Sequence, residues 1–236
     1  ALGCGSTVAF AEGIEKIAMN MGEVKPTVMT GVPRLFERMY NKIRRNVENQ
    51  PPKKQKIFNW GIEIGQSYAE LKRSEESIPV ALQVKHKLAD KLVFSKLRKV
   101  TGGNLRFFIS GGAALARELG VFFEAVGILI LEGYGLTESS PVIAVNREND
   151  YKFGSVGKTI PGVEVKIAKD GEILVSGPNV MVGYFKKKKE TNEVIRDGWL
   201  HTGDIGVFDA EGFLLITDRK KSLFKTSAGK YIAPTP

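Results

Sequence analysis

The sequence has one cysteine, Cys4, so no internal disulfide can form, a usage that fits a reducing compartment. No apolar run exceeds the stretch 121–131, and Glu124 interrupts it, which excludes a membrane-spanning helix. No signal-peptide pattern occurs. Aromatic and basic residues do not interleave as in RNA-binding surfaces, and no finger or recognition-helix pattern is present, so no nucleic-acid partner is expected. An initiator methionine is also absent, and the chain opens in mid-pattern at Ala1-Leu2-Gly3; an excised piece of a longer protein is expected.

What remains is an ordinary globular composition, and 236 residues suffice for one large or two small domains. Charge is unevenly placed. Of 35 basic and 26 acidic residues, the segment 34–99 holds 16 and 7, leaving 19 of each elsewhere, so the whole +9 excess sits there. Such a block attracts anionic lipid head groups, or is a solvated helix surface.

The chain alternates helix and strand at first. Ile14, Ile17, Ala18 and Met21 are helically spaced, and 26–30 reads as a short strand. Pro33 suits a helix's first turn, where its missing N–H costs nothing, and Leu35, Met39, Ile43 and Val47 then form a stripe. A second helix carries Ile57, Trp60, Ile64, Tyr68 and Leu71, and a third Ala81, Val84, Leu88 and Leu92. All three stripes are expected to face the core.

From Leu105 the alternation resumes with a strand at 105–109, the turn Ser110-Gly111-Gly112-Ala113, a helix with Leu115, Leu119, Phe122 and Val126 inward, and a strand at 128–131. Strand, crossover helix, strand implies parallel neighbours, with ligands binding at the strands' carboxyl ends. After Pro141 the texture changes to short strands and glycine turns: 162–168, 172–176, 206–208 and 213–217, an antiparallel pattern. The fold class is therefore α/β, a parallel αβ subdomain (1–140, with a helical basic insertion 34–99) followed by an antiparallel β subdomain (141–217). A closing segment, 218–236, is basic and rich in turn formers.

The chemistry concentrates at the end of the strand 128–131. Gly133 and Gly135 free the backbone, Tyr134 offers a flat ring between them, and Thr137 and Glu138 add a hydroxyl and a carboxylate. Adjacent hard oxygen donors there suit a Mg²⁺ ion that also holds phosphate oxygens; an ordinary capped loop is the plainer alternative. Asp204, following Gly203, has a carboxylate able to accept hydrogen bonds from two neighbouring hydroxyls, as on a ribose, or it is a turn aspartate. The guanidinium of Arg219 suits ribose or phosphate. His201 reads as packed rather than as a base.

Taken together, SGGAAL, GYGLTESSPV, GEILVSGPNVMVGYF, DGWLHTGD and DRKKSLFKTSAGKYIAP occur in this order at spacings that resemble the AMP-forming acyl-CoA synthetases, including firefly luciferase and peptide-synthetase adenylation domains. The helical segment after Pro33 and the wording GVPRLFERMY look closest to the long-chain fatty-acid CoA ligases. The resemblance implies ATP, Mg²⁺ and coenzyme A, with a fatty acid as substrate. It implies that Gly111, Gly112 and Ala113 line the adenine and acyl pocket beside Gly133, Tyr134 and Gly135. Tyr134 packs on adenine, Thr137 and Glu138 serve phosphate and metal, and Asp204 and Arg219 contact the nucleotide. Lys221 matches a hinge, and Lys225, just beyond it, is expected to be catalytic along with Thr137 and Glu138.

No Ser/Thr/Gly-rich phosphate loop ending in Pro-Lys occurs in this sequence, so this chain alone is expected to be inactive. Two rivals stand beside this reading: the same fold activating an aryl or amino acid, and a noncatalytic basic module docking on a membrane or partner. The reading expects a cytoplasmic location with peripheral contact at the inner membrane face, and it allows a homodimer.

Overall fold

The computed structural model describes residues 5–220, together with the backbone of Phe224–Lys225 and Tyr231–Ile232. Two compact units, Ala1–Ile130 and Leu131–Pro236, divide within one strand.

In the first unit a 3₁₀ turn, Ile14–Lys16, leads into α1 (Ile17–Val24) and β1 (Val28–Gly31). There follow α2 (Pro33–Glu48), α3 (Pro52–Arg73), α4 (Val80–Ala89), a π turn (Asp90–Phe94), α5 (Ser95–Lys99), β2 (Phe107–Ser110) and α6 (Arg117–Ala125). Pro33 and Pro52 each open a helix, where a missing N–H is harmless. β1 and β2 pair in parallel from Val28 opposite Phe107 to Gly31 opposite Ser110, as the strand–crossover–strand reading requires. Phe36, Phe94, Phe108 and Phe123 are fully buried. The rings of Phe36 and Phe108 meet edge to face with centroids 5.2 Å apart, which suits the aromatic quadrupole.

The third expected stripe is corrected by the structure. Val84, Leu88 and Leu92 are exposed at 62%, 49% and 39%, and Ala81 is exposed with them. The inward face of this helix instead carries His86, stacked on Tyr68 at 3.8 Å, then Ala89, Val93 and Phe94. The sequence offers two apolar faces about one residue apart, and the wide π turn, which adds a residue to its turn, turns Val93 and Phe94 together into the core.

β3 (Leu129–Tyr134) carries the chain into the second unit, where it pairs antiparallel with β4 (Ala144–Val145), and β4 with β5 (Lys158–Thr159). The remaining strands are β6 (Glu164–Ile167), β7 (Glu172–Ser176), β8 (Ile195–Arg196), β9 (Trp199–Phe208) and β10 (Leu214–Arg219), with α7 (Lys188–Val194) before β8. They form an antiparallel sheet in the order β10-β9-β7-β6, with β8 on β9. β11 (Phe224–Lys225) and β12 (Tyr231–Ile232) form a separate pair. Ile143, Ile173, Val175, Leu200 and Leu214 make the core of this unit. The architecture is thus α/β with an antiparallel β portion. One strand runs longer than expected: β9 begins at Trp199, so Asp204 lies on a strand rather than in a turn.

Candidate functional site

The second unit assembles its polar groups around the end of β3. Tyr134 is the last residue of that strand, and the backbone then closes into a 3₁₀ turn, Thr137–Ser139. Ser139 is buried and fixes the turn, accepting from the Leu136 N–H at 2.9 Å and donating toward the Leu136 and Pro141 carbonyls. Gly135 is required by the chain itself: a Cβ there would stand 1.6 Å from the Pro141 carbonyl oxygen. Its smallness admits the protein's own backbone, whereas the sequence suggested room for a ligand.

Asp204 reaches the same place from β9 through two irregularities of register. Between Leu174↔His201 and Glu172↔Ile205, β9 spends two more residues than β7, so Thr202-Gly203-Asp204 bulges from the ladder. Gly203 takes up the left-handed φ of +74° that this needs. On the other side Ile216 pairs with Gly206 but Asp218 pairs with Ile205, leaving Thr217 as an extra residue in β10. That single residue decides the electrostatics. With Thr217 left out of the pairing, Arg219 lies opposite Asp204; were Thr217 paired with Ile205, continuing the Ile216–Gly206 register would set Asp218 against Asp204, two like charges face to face.

The resulting cluster is compact. The Tyr134 hydroxyl donates to Asp204 Oδ2 at 2.7 Å, and Arg219 Nε donates to Asp204 Oδ1 at 3.0 Å. Asp204 is 7% exposed, while the Arg219 side chain is 67% exposed, so one partner anchors the cluster and the other reaches solvent. Burial pushes the Tyr134 phenol well above its ordinary range; a hydrogen bond with Thr202 opposes this and the Asp204 carboxylate adds to it. Tyr134 therefore stays a neutral donor. The backbone N–H of Asp204 donates to Thr202 Oγ1 at 3.1 Å, and Thr202 in turn donates to the Ile173 carbonyl at 2.8 Å.

Glu138, on the 3₁₀ turn, accepts a hydrogen bond from the Tyr184 hydroxyl at 2.6 Å. That contact, followed by burial, holds the Tyr184 phenol up at about 12. Tyr184 thus orients the carboxylate without competing for its charge. Thr137 beside it is exposed. Asn179 ties this turn to the following segment by donating to the Ser139 and Val142 carbonyls at 3.0 and 2.9 Å; its own Oδ1 is buried without a partner. Sequence reasoning did not single out Tyr184, Asn179 or Thr202, although all lie inside motifs it recognised: Asn179 and Tyr184 in GPNVMVGYF, Thr202 in HTGD.

Behind the bulge is a charged group. Glu172, 5% exposed, accepts from the Gly203 N–H at 3.0 Å and from Lys220 Nζ at 2.8 Å, and it lies 3.0 Å from His201 Nδ1. Lys220 also reaches Asp170 at 2.8 Å. Burial works against the Glu172 charge, but Lys220 first and then His201 outweigh it and hold the carboxyl below its usual value. His201 is a packed partner here, as its sequence context suggested.

Of the remaining expected positions, Gly111, Gly112 and Ala113 follow β2 in the first unit. The Gly111 N–H donates to the Gly31 carbonyl at 3.2 Å, and Gly112 has φ +84° with open space where a Cβ would stand. Gly133 pairs with Val145, and a Cβ there would make only ordinary contact. Lys221 lies outside the described residues. Lys225 sits on β11 opposite Tyr231, its side chain likewise outside what is described.

Among the described residues no three His, Cys, Asp or Glu side chains gather as a metal cage. One carboxylate beside one hydroxyl, Glu138 and Thr137, is the donor set a Mg²⁺ ion accepts when phosphate and water supply the rest.

The chain is similar to known proteins. The family model described as AMP-binding enzyme matches residues 1–185. The chain is 42% identical over 229 residues to the long-chain-fatty-acid–CoA ligase FadD15 of Mycobacterium bovis, covering 97% of this chain and 38% of that protein. It is 34% identical to long chain acyl-CoA synthetase 3 of Arabidopsis thaliana, covering 97% and 36%. The chain thus spans well under half the length of these curated relatives. Among solved structures, ATP-bound MatB of Rhodopseudomonas palustris superposes with a TM-score of 0.62 at 26% identity, covering 94% of this chain and 36% of that one. O-succinylbenzoate coenzyme A synthetase of Bacillus subtilis, with ATP and magnesium, shares the fold with a TM-score of 0.60 at 23% identity, covering 94% and 37%. A family model that matches residues 1–185 of 236, with relatives at 42% and 34% identity over nearly the whole chain, shows that this protein belongs to the AMP-binding enzymes.

Proposed function

We propose that this chain supplies the nucleotide-facing part of an ATP-dependent ligase that activates a long-chain fatty acid as its acyl-adenylate and passes the acyl group to coenzyme A. The observation that carries this reading is the Tyr134–Asp204–Arg219 cluster. An ionised carboxylate has about four lone-pair positions. Two on Asp204 are taken by Tyr134 and Arg219, which leaves acceptors for the two hydroxyls of a ribose. Arg219, mostly exposed, keeps further donors for the nucleotide. Tyr134, fixed through its hydroxyl, would offer its ring for stacking on the adenine.

In the first half-reaction a fatty carboxylate oxygen bonds to the α-phosphorus of ATP as the bond to pyrophosphate breaks. In the second, the coenzyme A thiolate attacks the acyl carbon and AMP leaves. Mg²⁺ would neutralise charge on the phosphate oxygens. Thr137 and Glu138 are the residues that would hold it, and Tyr184 keeps the Glu138 carboxylate aimed. Names of relatives at 42% and 34% identity support the fatty acid as substrate and coenzyme A as acceptor.

Glu138→Gln keeps the shape and the Tyr184 contact but removes the charge. In the intact protein, pyrophosphate exchange at saturating Mg-ATP should fall roughly 10²-fold, about 3 kcal/mol of transition-state stabilisation. An unchanged rate would return Glu138 to a structural role. A panel of fatty, aryl and amino acids in the same assay decides the substrate class, with stimulation by fatty acids expected and stimulation by aryl or amino acids alone contradicting it.

A second reading concerns membranes. α4 exposes Val80, Val84 and Leu88 beside Lys85, Lys87 and Lys91, a basic amphipathic face of the kind that lies on anionic bilayers. Pelleting with acidic vesicles should fall as salt rises and vanish with neutral ones; equal binding to both would favour a merely solvated helix.

A further inference from the structure

The two register irregularities that shape the Tyr134–Asp204–Arg219 cluster converge on one rung of the β sheet. Ile205 on β9 pairs with Asp218 on β10 and with Glu172 on β7, so the bulge at Thr202-Gly203-Asp204 and the unpaired Thr217 flank the same rung. Glu172 is buried there, and its two carboxylate oxygens are divided. Oε1 accepts from the Gly203 N–H at 3.0 Å, inside the bulge and next to Asp204. Oε2 accepts from Lys220 Nζ at 2.8 Å, and Lys220 directly follows Arg219. An ionised carboxylate only accepts, so His201 Nδ1, 3.0 Å from Oε2, turns its proton toward Glu172. Among the described residues these three are the side-chain hydrogen-bond partners of Glu172, and Asp204 and Arg219 are not.

Neutralising a buried charge accounts for Glu172 having partners, but not for one oxygen holding the bulge and the other the chain just past Arg219. Arg219 needs such a hold. Among the described residues its guanidinium has one partner, Asp204, and the side chain is otherwise mostly exposed. A free arginine loses rotamer freedom when a ligand binds, so fixing its backbone at Lys220 lessens what the ligand must still order. Lys220 is braced in turn by Asp170 Oδ2 at 2.8 Å, and the two carboxylates, Asp170 first, hold its ammonium above the usual range. We infer that Glu172 is a positioning residue for the nucleotide, setting Asp204 through Gly203 and Arg219 through Lys220. The inference rests on the reading of Tyr134, Asp204 and Arg219 as the nucleotide cluster. Glutamine cannot take over this role. An amide has one acceptor oxygen, so it can hold the bulge or Lys220 but not both.

The test is AMP binding, measured by calorimetry on the intact protein well below its unfolding midpoint. Glu172→Gln should weaken AMP about tenfold and Lys220→Met about fivefold, whereas Lys220→Arg, which keeps the charge, should stay within about twofold. Lys220 is half exposed, so its variants should fold even where Glu172→Gln does not. Lys152→Met is the control, since Lys152 pairs with Asp209 and Glu211 in the same unit and with no member of this cluster. Its AMP affinity should be unchanged. The decisive comparison uses Arg219→Ala, which removes the guanidinium through which Lys220 acts. Arg219→Ala alone should weaken AMP about tenfold, and adding Lys220→Met should then weaken it by less than about twofold more. A Lys220→Met loss as large in the Arg219→Ala background as in the parent would make Lys220 a merely structural cation and overturn the assignment. So would an unchanged affinity in Lys220→Met or in Glu172→Gln while Arg219→Ala binds weakly, or an equal loss in Lys152→Met. If Arg219→Ala and Asp204→Asn both bind AMP as the parent does, the nucleotide reading itself fails, and this inference fails with it.

Discussion

The two units solve opposite problems with their polar and apolar groups. The first is held by aromatic packing around Phe36, Phe94, Phe108 and Phe123, and its helices leave apolar surface unsealed, both in a cavity lined by α1, α2 and α3 and on the outer face of α4. The second has the smaller core, and its buried Asp204 and Glu172 are each pinned by several partners. Buried charges persist only where partners repay their desolvation, so the β unit specifies positions tightly. The helical unit, bound by non-directional burial, tolerates open space. The one fixes polar geometry and the other leaves open space.

The strongest way to break this contrast is in the aromatic core. Phe94→Ala should cost about 4 kcal/mol, read as a lowered thermal or denaturant midpoint, since Phe94 is fully buried and packs near His86 and Gly65. A loss under about 1 kcal/mol would mean that the helical unit is held by something else. Next come two glycines, one in each unit. Gly135→Ala drives a Cβ into the Pro141 carbonyl and should destabilise by about 3 kcal/mol, whereas Gly112→Ala meets only left-handed strain and should cost about 1 kcal/mol. Equal losses would remove the claim that the β unit needs Gly135 for close packing.

Acidification should separate the units further. The folded Glu172 carboxyl titrates below its ordinary value of 4.5, so its contribution is fully present above that value and is lost as pH falls through the lower folded one. Asp170, held down first by Lys220, adds in the same direction. Midpoints measured between pH 6 and 3 should therefore fall less steeply in Glu172→Gln than in the parent protein; parallel curves would show that Glu172 is not coupled to folding. The smallest effect belongs to the outer face of α4: Leu88→Ser should stay within about 0.5 kcal/mol, because Leu88 is already half exposed.

These cases also show what could be read in the sequence. Helices and strands were legible where proline, glycine and apolar period marked them, as at Pro33 and the β1 and β2 strands. The facing of α4 was not, because Val84 and Leu88 fit one helical stripe as well as His86, Ala89 and Val93 fit the next, and only tertiary packing with a π turn chooses between them. The site motifs were visible as words, but their geometry was not. No periodicity announces that Thr217 is an extra residue or that Thr202-Gly203-Asp204 bulges, and the strand through DGWLHTGD was missed because its glycines read as turns. Tyr184 escaped for a related reason: its partner Glu138 is 46 residues away, a distance no local pattern spans.

The central claim is that leaving Thr217 out of the pairing builds the proposed nucleotide site by setting Arg219, and not Asp218, against Asp204. Exchanging the two side chains, Asp218→Arg with Arg219→Asp, puts a carboxylate in the place opposite Asp204. AMP affinity, measured by calorimetry on the intact protein, should fall at least tenfold in the exchange, whereas deleting Thr217, which keeps Arg219 opposite Asp204, should leave it within about threefold. An unchanged affinity in the folded exchange variant would contradict the account.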